Sequence, residues 1–103
     1  VYSGNSGYNP RTAIGQRQDG AVIFVCADGR QAGSIGATYK DVIDILSEYG
    51  AYNACNMDGG SSSIMYYRDT EGRYGEAGQV QMINSYSVLQ SEPRRMPDFW
   101  MVK

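Results

Sequence analysis

The sequence predicts an α+β fold: a mixed β-sheet with a hairpin, a β-α-β crossover and one principal helix at about residues 39–49. Three observations point to it. An Asp19-Gly20 pair lies between two strand-like runs, residues 39–49 repeat apolar side chains at helical spacing, and apolar runs ending in Asp-Gly stand on either side of that helix.

The elements follow in chain order. Residues 12–18 and 21–27 flank Asp19-Gly20, the strongest short hairpin signal when strand-like residues lie on both sides, so they read as two antiparallel strands. "AVIFVCA" is apolar throughout, as expected of a strand covered on both faces. In "TYKDVIDILSEYG", Val42, Ile45, Leu46 and Tyr49 form one apolar face. Thr38 reads as its N-cap with Asp41 three residues on, and Gly50 as its stop. "AYNACNM" follows at once as another strand, so strand, helix and strand form a right-handed parallel crossover. Beyond it, "SIMYY" reads as a strand and "RDTEGRYGEAG" as a polar surface loop. "VQMIN" and "FWMVK" read as short strands joined by "SYSVLQSEPRRMPD", whose prolines oppose regular structure.

Composition narrows the function classes. With 103 residues, 42% hydrophobic and 19% charged, the chain suits one globular domain or part of one. A net charge of −2 without a basic run argues against sequence-independent nucleic-acid binding. No run is long and apolar enough for membrane insertion, and any targeting segment is expected outside residues 1–103. The absence of histidine removes a Ser-His-Asp triad, a Cys-His pair and a His-ligated zinc within this chain. Cys26 and Cys55 are too few for a disulfide scaffold or a Cys₄ metal site; they read as buried small hydrophobes or as one bridge. Nine tyrosines are many for this length and suit either carbohydrate stacking or ordinary packing.

Both strands of the crossover end on Asp-Gly, at Asp28-Gly29 and Asp58-Gly59. Parallel strands bring their carboxyl ends to one sheet edge, where ligands tend to bind. Asp28, Asp58, Arg30 and the loop Gly59, Gly60, Ser61, Ser62, Ser63 are therefore expected to meet there. Glycines let backbone approach a ligand, and successive N–H groups with hydroxyls cradle anionic or sugar oxygens. The plainer use of each Asp-Gly is a turn, since Asp hydrogen-bonds its own backbone and Gly accepts positive φ.

"NPRTAIG" (9–15), "DGR" (28–30), then Ser34, Gly36 and Thr38 leading into a helix, then "NMDGGSSSIM" (56–65), resemble the C-terminal half of the phosphodiester glycosidase family. That family includes N-acetylglucosamine-1-phosphodiester α-N-acetylglucosaminidase and bacterial exopolysaccharide-related proteins. Its loop resembles Asn-Leu-Asp-Gly-Gly-Gly-Ser-Ser, whereas this chain has Ser61 at the third glycine. The resemblance assigns 1–103 to the C-terminal part of the domain, without the N-terminal half the family usually carries. It implies hydrolysis of a sugar 1-phosphodiester to free sugar and phosphomonoester, on cell-surface or exopolysaccharide-type glycans in an extracellular or cell-surface setting. Asp58 and Asp28 are the implied catalytic pair, as paired carboxylates are in glycosidases. Arg11, Thr12, Arg30, Asn56, Gly59, Gly60, Ser61, Ser62, Ser63 and Asn84 are the implied substrate or phosphate ligands, the arginines through forked hydrogen bonds. No cofactor is implied; a divalent cation at Asp28 and Asp58 is the less favoured option, because no D-x-D-x-D-G pattern occurs. The other readings are a glycan-binding module that does not cleave, and a fragment whose site and exposed sheet face are completed by the N-terminal half or a second chain.

Overall fold

The computed structural model describes residues 7–85, 95–96 and 99–102. The strands β1 (Arg11–Arg17) and β2 (Val22–Ala27) form the expected hairpin, closed where Asp19 Oδ1 accepts from the Ala21 N–H. Helix α1 (Tyr39–Glu48) follows, then β3 (Ala51–Asn56), a 3₁₀ turn (Gly60–Ser62), and the hairpin β4 (Tyr66–Asp69) with β5 (Gln79–Met82). The fold is α+β.

The expected mixed sheet takes a different form. The three strands lie in the order β2-β1-β3, and both ladders are antiparallel. β2 and β3 run in the same direction, as the crossover requires, but β1 lies between them. The tight turn at Asp19-Gly20 holds β1 against β2, leaving β1's other edge for the strand that returns from the helix. β2 is consequently an edge strand with one open face, not the doubly covered strand its apolar run suggests: Val22 is 51% exposed.

The helix forms for the reasons written in its ends. Thr38 Oγ1 accepts from the Asp41 N–H while Asp41 Oδ2 accepts from the Thr38 N–H, a reciprocal capping box. Val42 and Leu46 are buried against the sheet and join Ala13 and Ala37 in the core, with Ile23, Val25, Ala27 and Ala51 packed around them. Burying a side chain such as Leu46 contributes about 1.5–3 kcal/mol. A Cβ on Gly15 would lie 2.9 Å from Leu46 Cδ2, so the bare backbone of β1 lets the helix approach. Tyr49, expected on the packed face, is 65% exposed, because the chain leaves helical geometry at this C-cap residue and turns at Gly50.

Cys26 and Cys55 are free, and Cys55 is exposed rather than buried. They lie on strands separated by β1, two strand spacings or about 9.5 Å apart, beyond the reach of a disulfide. Burial and the nearby charge of Asp28 push the Cys26 thiol up to about 11. In the C-terminal part, "VQMIN" contributes β5, whereas Phe99, Trp100, Met101 and Val102, read as strand, form none and are exposed. Most of "SYSVLQSEPRRMPD" lies outside the described residues.

Candidate active site

Because β2 and β3 run the same way, the two Asp-Gly loops leave the sheet at the edge where β1 begins. What they share there is Pro10. A Cβ on Gly29 would lie 2.6 Å from Pro10 N, and one on Gly59 would lie 2.8 Å from Pro10 O. Both loops therefore press bare backbone against the same buried proline. The Gly60 N–H then donates to Pro10 O at 2.9 Å and the Met57 N–H to Thr12 O at 2.8 Å, fastening the second loop to β1. Gly59 and Gly60 thus have a structural reason that the sequence did not supply, and Pro10 is the residue it missed. Its trace in the sequence is the "NPR" of residues 9–11, within the stretch that carries the family resemblance.

Asn84 is the second hub. Its Nδ2 donates to Asp28 Oδ1 at 3.1 Å and to Ser63 O at 2.9 Å, while its Oδ1 accepts from the Met65 N–H at 2.8 Å. The Ser85 N–H adds a bond to Asp28 Oδ2 at 3.0 Å. Asp28 is half-buried and held by both oxygens; Asp58 is exposed.

Arg30 has φ 56°, the one non-glycine in the left-handed region among the described residues. Its Nη2 donates to Asn9 Oδ1 at 3.2 Å, and its guanidinium faces Gly60, 3.4 Å from where a Cβ would stand. Arg11 is placed differently. It is 6% exposed, donates from Nε to Ala37 O and from Nη2 to Gly7 O, and stacks 3.8 Å over the Tyr39 ring. These contacts tie β1 to the segment leading into α1.

Of the hydroxyls, Ser62 and Ser63 are buried and Ser61 is exposed. Ser61 has no positive φ, so the conformation does not demand the glycine that the family loop carries there. Ser63 Oγ is buried without a hydrogen-bond partner, an arrangement that ordinarily costs stability, and the equally buried Thr12 Oγ1 lies beside the Cys26 thiol. Asn56 ends β3 opposite Ala13 and is exposed. The structure thus brings together Asp28, Arg30, Gly60, Ser63 and Asn84 around Asn9 and Pro10. Among the described residues, no three Cys, Asp or Glu side chains cluster in a way that could hold a metal ion.

The arrangement is a sheet edge at which Asp28 is held by Asn84 and Ser85, the Arg30 guanidinium faces Gly60, and Asp58 lies exposed two residues before Gly60. Comparison with known proteins supplies the class. The family model described as phosphodiester glycosidase matches residues 1–103, and the chain belongs to this family, whose name is that of glycosidases acting on phosphodiesters. The chain is also 41% identical over 66 residues to the SPbeta prophage-derived uncharacterized protein YomE of Bacillus subtilis (strain 168), a match covering 64% of this chain and 10% of that protein. The chain thus spans about a tenth of the length of this curated relative. No solved structure matches it.

Proposed function

We propose that this site hydrolyses a sugar 1-phosphodiester of a cell-surface or exopolysaccharide-type glycan. Water adds at C1, the bond from C1 to the phosphate oxygen breaks, and the products are the free sugar and a phosphomonoester. The observation that carries this reading is the convergence of both Asp-Gly loops on Pro10, with the Arg30 guanidinium across Gly60.

Asp58, exposed just beyond the end of β3, is the carboxylate that activates water or attacks C1. Asp28, anchored by Asn84 and Ser85, sets the geometry around it and orients Asn84 against the Ser-rich loop. A phosphate leaving group needs its charge neutralised more than it needs a proton, which is the part Arg30 plays. Arg11, with its buried stack on Tyr39, supports the site from beneath. The Ser63 and Thr12 hydroxyls supply buried polarity behind the loop.

The test is Asp58→Asn in the complete protein. Size and turn-forming capacity are kept while charge is lost, so phosphomonoester release should fall by about 10²–10⁴-fold with melting nearly unchanged. Unchanged release would remove Asp58 from the chemistry. A wild-type protein that retains the glycan but releases no phosphomonoester would be a binding module instead.

A further inference from the structure

The β4–β5 hairpin is rooted in the active site and carries an aromatic corner that the reaction does not use. At its base, the Met65 N–H bonds to Asn84 and the Ile83 N–H to Met65 O at 2.9 Å. Tyr67 stands two residues farther along, about 7 Å from that base. Its ring meets Tyr74 edge to face, with centroids 6.2 Å apart and planes at 83°.

Three features separate this pair from ordinary packing. First, Tyr67 is 44% and Tyr74 59% exposed, so neither ring is filling a core. Second, edge-to-face pairing uses one face of one ring and neither face of the other, leaving aromatic surface turned outward. Third, the loop that carries Tyr74 is held rigidly. Asp69, fully buried, accepts from the N–H groups of Arg73 (2.8 Å), Tyr74 (2.7 Å) and Gly75 (3.1 Å), and its carbonyl accepts from Gly78. Gly75 in turn packs on the Gln81 amide, where an added Cβ would lie 2.7 Å from Nε2. A buried carboxylate given over wholly to ordering an exposed loop is costly unless the loop's shape matters.

We propose that Tyr67 and Tyr74 form a subsite for a pyranose ring of the glycan, next to the reacting bond. The electron-rich face of an aromatic ring attracts the polarised C–H groups on the apolar face of a pyranose, and the preset loop spares the ordering cost of binding. This inference rests on the glycosidase reading for its choice of ligand, and its test is independent of turnover.

Binding of an N-acetylglucosamine tetrasaccharide to the complete protein is measured by calorimetry for wild type, Tyr74→Ala, Tyr74→Phe and Tyr67→Ala. Both alanine variants should bind about three- to tenfold more weakly, Tyr74→Phe close to wild type, and all should melt as wild type does. Equal binding by the alanine variants, a phenylalanine variant as weak as alanine, or no binding by wild type would each overturn the subsite. Phosphomonoester release from a small N-acetylglucosamine 1-phosphodiester by wild type reads the reaction separately. Its absence alongside ring-dependent binding sinks the reaction and leaves the subsite standing.

Discussion

Arg30 shows how a single residue connects conformation to chemistry. A side chain at φ 56° is held in the left-handed region at a cost of roughly 1–2 kcal/mol relative to ordinary backbone. Glycine would remove that strain while adding about 0.5–1 kcal/mol of unfolded-state entropy. Arg30→Gly also gives up the hydrogen bond to Asn9, so it is expected to leave stability unchanged or raise it by up to about 1 kcal/mol. If the guanidinium neutralises the leaving phosphate, the same variant loses at least tenfold in phosphodiester turnover. Thermal unfolding and phosphomonoester release, measured together, check this, and full turnover would end the role given to Arg30. The sequence identified Arg30 by its place after Asp28-Gly29, but not its conformation, because φ depends on the Pro10 packing that fixes the loop. Pro10 itself carries no functional group, which is why residue-type reasoning passed over it.

At the scale of elements, local signals are legible in the sequence and long-range ones are not. The capping box at Thr38 and Asp41, the stop at Gly50 and the Asp19-Gly20 turn each act within a few residues, and each stands where the sequence placed it. The strand order does not follow from local signals, because whether β3 pairs with the free edge of β1 or with that of β2 is a choice made between distant segments. Asp69 was hidden inside a stretch read as a surface loop, since a polar residue destined for burial looks like any other turn acid. Its burial disfavours the charged form, but N–H groups of Tyr74, Arg73, Gly75 and Gly72 outweigh that and hold its pKa below the ordinary 3.8. A lowered folded-state value means that its contribution is complete above the unfolded value and disappears as pH falls through the folded one. Protection of the amides of residues 73–75, taken relative to their intrinsic exchange rates, should thus be high at neutral pH and fall selectively as pH drops below the ordinary 3.8 towards the lowered folded-state value. Asp69→Asn should show low protection there at every pH. Equal behaviour of the two proteins would show that the carboxylate does not order the loop.

At the scale of the whole molecule, the core among the described residues is small. Only Ala13, Ala37, Val42 and Leu46 are buried hydrophobics among the described residues, and two of these are alanines. Helix α1 covers one face of the three-stranded sheet. Directly paired residues share a face, so the register places Thr12, Ile14 and Gln16 with Val22, Phe24 and Cys26 of β2 and with Asn53 and Cys55 of β3 on the other. There Phe24 is 36% and Val22 51% exposed, and Cys55 is open to solvent.

An apolar sheet face of this kind, bounded by two edge strands, invites association unless something covers it. We propose that the cover is the N-terminal half of the domain, which the family resemblance implies. Cys55 is a built-in reporter, because it stands on the open face while Cys26, half-buried with its thiol pushed up to about 11, reacts slowly in either state. With residues 1–103 alone, a thiol reagent should label Cys55 freely, and the chain should self-associate as concentration rises. In a longer form carrying the N-terminal half, labelling of Cys55 should slow by at least tenfold and association should cease. Phe24→Asp separates cover from chance protection: it should suppress association of residues 1–103 while exposing Cys55 again in the longer form, because a charge cannot be buried beneath the covering segment without a partner. Equal labelling rates in the short and long forms would place the N-terminal half elsewhere and leave this face as a true outer surface.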